Sequence, residues 1–356
     1  MTDAPLTRSP RPTGSPADDV PGALDLVVIG AGPVGLACAI EAQRRGLTAR
    51  VLEKGALVNS ILGYPLNMEF FSTPDLIEIG GHPFPIRIYK PTREDALEYY
   101  RLVAARESLD VRVYDPVLDV CGSRGDFTVV TRKARHTARQ VVVTTGFFDR
   151  PNMMNVPGEE LPKVTHYYRE PYPYAGQKVI VIGAKNSAAK AALDCYRHGS
   201  EVTLVVRSAV LSDSIKYWIR PDLENRIKEG SIKALFETAV VEIRETSVLV
   251  ERAGAVQELP NDWVLAMTGY HPDFSFLERL GITFADDRTR APIFDENTFE
   301  TARPGLYVAG TVCGGYQTNR WFIENGRFHA RQIVTHITGG HPSASAFKGV
   351  HWKTEE

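Results

Sequence analysis

The stretch 24–55, LDLVVIGAGPVGLACAIEAQRRGLTARVLEKG, restricts this chain to few folds. The apolar run Leu26 to Ile29 suits a parallel strand buried on both faces. Gly30, Gly32 and Gly35 follow at G-x-G-x-x-G spacing. The sequence predicts a helix over 33–45, opened by Pro33, whose missing N–H costs nothing at a helix start, and stopped by Gly46. ARVLE then forms a second strand. Gly30 permits the tight turn, Gly32 lets the backbone approach a pyrophosphate, and Gly35 lets helix and strand pack closely. The free N–H groups at the helix start, beside Val34, suit phosphate oxygens. Glu53, followed by Lys54, ends the second strand where a carboxylate can accept from a ribose hydroxyl. Strand, helix, strand and acid together predict a nucleotide site. A glycine turn that merely packs is the alternative.

A second unit occupies QKVIVIGAKNSAAKAALDCYRHGSEVTLVVRS, residues 177–208, its Gly183 lying 153 residues after Gly30. It repeats the order with a degraded turn: Gly183, Lys185, Asn186, Ser187 and Ala188. Lys185 is expected either to reach a nucleotide phosphate or to lie in solvent. Val206 and Arg207 stand where the first unit has Glu53. Losing the carboxylate removes repulsion of a 2′-phosphate, and an arginine can pair with one. The unit is therefore expected to take NADPH rather than NADH, with Arg207 as a solvated strand end the alternative.

A chain of 356 residues has room for about two domains. Its formal charge of −2, with 41 Lys+Arg against 43 Asp+Glu, gives no support to nucleic-acid or polybasic membrane binding. No apolar run approaches the roughly 18 residues of a membrane span. Residues 1–23 and 341–356 are expected to be tails, the first disordered on its Pro, Gly and Ser content. Four scattered cysteines, Cys38, Cys121, Cys195 and Cys313, show no CxxC or metal-ligand spacing, so no metal site is expected. They suit a reducing cytoplasm, and each is first of all a small buried hydrophobe.

Further landmarks follow in order: VVVTTG (141–146), DWVLAMTGYHPD (262–273), GLYVAG (305–310) and NRWFIENGRFHARQIVTHI (319–337). The series resembles the thioredoxin-reductase-like flavoproteins, which carry two dinucleotide-binding domains. The resemblance implies an α/β fold with two Rossmann-like domains: an FAD domain in two segments, 24–155 and 272–340, around an NADPH domain, 156–271. It implies FAD contacts at Gly146, Gly310 and Thr311, NADPH contact at Gly269, and a last helix aimed at the flavin ring. It also implies a homodimer or higher homo-oligomer.

The redox CxxC of thioredoxin reductases is absent; its slot holds His166, Tyr167, Tyr168 and Arg169. The chain also has Thr311 where the family has an aspartate against the ribityl chain. EKGALVNSI, FFSTPDLIEIGGHPFP, KPTREDALEYYR, TTGFFDRPN, VIGAKNSAAKAALD and FIENGRFH resemble the bacillithiol-disulfide reductases, which work without an internal dithiol. That resemblance implies NADPH-dependent reduction of a low-molecular-weight disulfide. It also implies a cysteine in the FAD turn, where this chain has Val34. Cys313 and Cys38 are candidate substitute thiols, with core packing the alternative for both. Cys121 and Cys195 are expected to pack on a strand and a helix. His166, the third candidate catalytic residue, and Tyr167 are expected between the domains, lining a substrate or nicotinamide channel or packing at the interface. Glu324 to Arg327 are expected to meet the flavin edge or cap the last helix. Three other functions stay open: a flavin reductase serving ferredoxin or flavodoxin, a flavin monooxygenase, and a non-enzymatic redox sensor.

Overall fold

The computed structural model describes residues 22–341. Residues 1–21 and 342–356, which make up nearly all of the two expected tails, lie outside the described residues.

Both predicted units form parallel sheets. The strand Leu24–Ile29 runs parallel to Ala49–Leu52 on one side and to the second half of Arg135–Val143 on the other. Leu26, Val27 and Val28 are completely buried, as a central strand covered on both faces requires. Leu306–Val308 adds in parallel beyond Arg135–Val143. The chain thus leaves this sheet after residue 143 and returns to it at 306. The first half of Arg135–Val143 pairs antiparallel with Asp126–Thr131, which pairs with Val117–Ser123.

The second sheet has the order Lys233–Leu235, Glu201–Val205, Lys178–Ile182, Trp263–Ala266 and Val164–Thr165, all parallel. A three-stranded antiparallel sheet, Ala239–Ile243, Ser247–Arg252 and Ala255–Pro260, covers one of its faces through Ile243, Val248, Val250 and Leu259. The chain is a mixed α/β protein with two dinucleotide-binding units.

The two crossings between the units lie side by side. Arg150–Pro151 pairs antiparallel with Tyr270–His271. Asn152 N–H donates to Gly269 O at 2.9 Å, its side-chain amide donates to Thr268 O at 3.1 Å, and Arg150 pairs with Asp273 at 2.6 Å.

One expected element is corrected. The segment 319–337 is not a single helix. It forms a short turn of helix, Ile323–Gly326, and then the helix His329–Ile337. The break follows Gly326, which is pressed against the first glycine turn. A Cβ on Gly326 would lie 3.2 Å from both Gly310 Cα and a Val34 methyl. The second piece packs along the first helix, Pro33–Arg44, with the Arg45 guanidinium donating to the Thr335 and Thr338 hydroxyls.

Candidate cofactor and redox site

The first turn is built to its expected form. Gly30 has φ +109°, and a Cβ there would lie 2.8 Å from Thr144 O. A Cβ on Gly35 would overlap Gly30 O. At Gly32, the N-cap of the helix Pro33–Arg44, nothing lies within 4 Å of a Cβ, so that side of the turn is open to a ligand. Glu53 is buried. One carboxylate oxygen accepts from Ala31 N–H and the other from Gly55 N–H, each at 2.8 Å. Burial pushes its carboxyl up from the usual range, and the two N–H groups pull it back. A carboxylate has about four acceptor sites, so it can still take a hydroxyl donor.

Lys54 reaches across to Asp149 at 2.6 Å. The two residues rim a pocket of about 260 Å³ that Phe148, Tyr167 and Arg169 also line. Tyr167 and Tyr270 stack beside it, Phe148 lies edge-on to Tyr167 and tilted against Tyr270, and Tyr167 O–H donates to Phe148 O at 3.1 Å.

Residues from the chain's return to the sheet close over the same turn. Gly146 and Gly310 both have positive φ. A Cβ on Gly146 would lie 3.4 Å from the Thr311 hydroxyl, and one on Gly310 would lie 3.1 to 3.3 Å from three Val34 side-chain atoms. Val34 is therefore a packing residue, buried between Gly310 and Gly326. Glu324 is buried, and its carboxylate accepts from the Ser72 hydroxyl. Arg327 donates to the Asp75 and Glu78 carbonyls. Sequence reasoning singled out Glu324 and Arg327 but missed Ser72, because no local pattern marks a serine 252 residues from its partner.

In the second turn Gly183 has φ +140°, and a Cβ there would lie 2.6 Å from Met267 O. Lys185 is the exposed N-cap of the helix Asn186–Arg197, and Ser187 is exposed in its first turn. Asn186 grips the loop that follows Arg207. Its amide donates to Ser214 O at 2.8 Å, and its oxygen accepts from Lys216 N–H at 3.0 Å. Arg207 is exposed beyond the strand end, after buried Val206.

The reading of one thiol, Cys121, is corrected. Cys38 and Cys313 are completely buried in the core of the first unit. Burial pushes both thiols far above their usual range, as it does for cysteines packed in a core. Cys121 does not pack on its strand; it is exposed beside the Asp119 carboxylate. Cys195 packs in the core of the second unit. His166 is half-buried near the crossing strands, its Nε2 3.2 Å from buried Glu159, and burial draws its pKa down. It is remote in sequence from any thiol and pairs with a structural carboxylate that holds Met154 N–H and Asn155 N–H.

Among the described residues no group of three metal-ligating side chains occurs, and no helix is long and apolar enough to cross a membrane.

Comparison with known proteins places this geometry. The model of the pyridine nucleotide-disulphide oxidoreductases matches residues 27–310. The bacilliredoxin reductase Bdr of Bacillus subtilis is 42% identical over 314 residues, 87% of this chain and 96% of that protein. The solved bacillithiol disulfide reductase Bdr (YpdA) from Bacillus cereus superposes with a TM-score of 0.87 at 41% identity, covering 89% of this chain and 99% of that one. A thioredoxin reductase from T. acidophilum superposes at 0.69 and 21% identity, a likeness of fold.

Proposed function

The chain belongs to the pyridine nucleotide-disulphide oxidoreductases, and on that premise we propose that it uses NADPH and FAD to reduce a low-molecular-weight disulfide such as bacillithiol disulfide. Family membership makes it an oxidoreductase that uses a flavin and a nicotinamide nucleotide. Bound FAD supplies the two-electron relay, with the balance NADPH + H⁺ + RSSR giving NADP⁺ + 2 RSH.

The chain's own residues are assigned as follows. Gly30, Gly32, Pro33 and Gly35 would present the helix start to the FAD pyrophosphate, with Glu53 at the ribose. Gly146, Gly310 and Thr311 would lie along the remainder of the FAD. Gly183, Lys185, Ser187 and Arg207 would serve NADPH, with Gly269 at the crossing. The domain limits 24–155, 156–271 and 272–340 are proposed on the same grounds.

One observation carries the choice of acceptor. All four cysteines are free, and the position beside the turn that would hold a thiol is filled by Val34, sealed under Gly310 and Gly326. No internal dithiol can relay electrons, so the acceptor disulfide must itself come to the flavin. Free cysteines also accord with a reducing cytoplasm.

The test is NADPH consumption by the flavin-loaded protein with bacillithiol disulfide, counting thiols. Two thiols per NADPH over many turnovers is expected. Rapid flavin reduction with no thiol release would overturn the disulfide substrate and leave a carrier protein or oxygen as acceptor. Light scattering on the same preparation tests the proposed homo-oligomer.

A further inference from the structure

Three lysines from three separate stretches surround two aromatic rings where the units meet. Lys90 Nζ lies 3.9 Å from the centre of the Trp218 ring. Lys190 Nζ lies 5.0 Å from the Phe71 ring, and Lys216 Nζ lies 5.4 Å from Phe71 and 5.9 Å from Trp218. The rings meet edge to face at 5.8 Å, with Tyr217 against the far side of Trp218. Phe71 and Lys90 come from the first unit, Lys190 from the helix Asn186–Arg197, and Lys216 and Trp218 from the loop that Asn186 grips.

Like charges gathered this closely repel, and no ion pair is made by Lys90 or Lys190 among the described residues. Burial and the Lys90 charge hold the Lys190 ammonium below its usual range, while Glu69 and Asp194 act the other way. Of these acids, Glu69 is exposed, and Asp194 already accepts from Tyr168 O–H. Neither acid makes an ion pair with Lys90 or Lys190 among the described residues, so these two ammonium groups keep room for an anionic ligand.

The cluster's place gives it a purpose. Phe71 precedes Ser72, which bonds Glu324, two residues from Gly326 against the first turn. Phe71 is thus the sequence neighbour of a residue that is tied to the wall of the proposed flavin end. Exposed Tyr217 and Trp218 leave the cluster reachable from solvent. Aromatic faces suit the sulfur and methylene stem of a small disulfide, and ammonium groups suit its acids.

We propose that Lys90, Lys190 and Lys216, set around Phe71 and Trp218, form a subsite for the carboxylates of an acidic low-molecular-weight disulfide. The proposal rests on the reductase function given above. A phosphate of NADPH is the competing occupant: Lys190 and Lys216 belong to the second unit, but Phe71 and Lys90 come from the first, and the disulfide is favoured because the cluster draws on both.

The test uses oxidised holoenzyme and three small disulfides: 3,3′-dithiodipropionate (a dianion), 2-hydroxyethyl disulfide (neutral) and cystamine (a dication). Quenching of tryptophan fluorescence reports binding without turnover, and W218F assigns the signal. The dianion should bind tightest, weaken as salt rises, and lose roughly five- to tenfold in affinity in K90Q or K216Q, with the neutral disulfide unchanged. No charge preference in the wild type overturns the subsite. Equal losses for all three disulfides overturn it as a structural effect, and an increase confined to the KM for NADPH reassigns the lysines to the nucleotide. Tight binding by an acidic carrier protein, with none by the dianion, also overturns it. Charge-selective binding without thiol release would keep the subsite and sink the reductase; thiol release without charge selectivity would do the reverse.

Discussion

His329 Nδ1 accepts the Gly310 N–H at 3.1 Å, tying the last helix to the turn that carries Thr311. The imidazole is fully buried, stacked on Phe299 at 4.0 Å and edge-on to Trp321 at 4.5 Å. Burial in that apolar sandwich draws its pKa down to about 3, with the Arg320 charge adding to the effect. The ring is therefore neutral, and the ring nitrogen facing Gly310 is the acceptor.

This bond predicts an acid-sensitive fold. The unfolded chain takes up a proton near the ordinary value of 6.5, whereas the folded chain resists it. Stability is then unaffected above pH 6.5 and falls as pH drops below it, by about 1.4 kcal/mol per pH unit from this group alone. H329Q keeps an acceptor but cannot be protonated. Denaturant melts between pH 7 and 5 should show a shallower slope for H329Q than for the wild type; equal slopes would remove His329 as the cause.

Val34, Gly310 and Gly326 form a packed triad, so added volume is predicted to be costly. G310A places a Cβ on a positive-φ residue and against Val34. It should cost about 1–2 kcal/mol for the backbone and about 1–3 kcal/mol more for overpacking. G326A should incur only the second cost. Thermal melts of both variants check the difference, and flavin absorbance after purification should fall more in G310A.

Glu53 holds two backbone N–H groups as well as its proposed ribose contact. E53A leaves both donors without their carboxylate, at about 1–3 kcal/mol for each that stays buried. E53Q keeps one acceptor oxygen and should fall between. Flavin content and melting temperature should follow the order wild type, E53Q, E53A. Full flavin retention in E53A would remove the residue from the FAD site.

The buried cysteines are predicted to be dispensable for turnover. C38A and C313A should keep NADPH-linked thiol release within about twofold of wild type, with stability losses set by the small cavities left behind. A loss of 100-fold or more in kcat for either variant, with the flavin still bound, would mean that the thiol becomes exposed during the reaction.

Asn186 is predicted to act on nucleotide binding through the 212–216 loop. N186A removes both of its bonds and should raise the KM for NADPH by roughly three- to tenfold with kcat nearly unchanged, as loss of uniform binding does. Steady-state kinetics with varied NADPH would show it.

The residues 24–55 by themselves determined the opening strand, turn, helix and strand of the first unit. Glycine spacing, strand pattern and Glu53 are local relations set by φ, by close backbone approach and by periodicity, and the folded turn repeats them at Gly30, Gly35 and Glu53. The same logic exposed the second unit through Gly183, while the missing dithiol at His166 to Arg169 was legible only through the family resemblance. Local pattern failed where a residue's meaning depends on a distant partner. The resemblance implied one helix over 319–337; in the structure the chain breaks after Gly326, which is pressed against Gly310 and Val34. Sequence reasoning offered Cys38 and Cys313 as thiols because their burial depends on how elements far apart in sequence pack over them. It passed over His329, Ser72, Asn186's hold on the 212–216 loop, and the three lysines around Phe71 and Trp218. Each of these sits opposite groups that no local pattern links to it, from 19 residues away for His329 and Gly310 to 252 for Ser72 and Glu324, and only the folded chain brings them together.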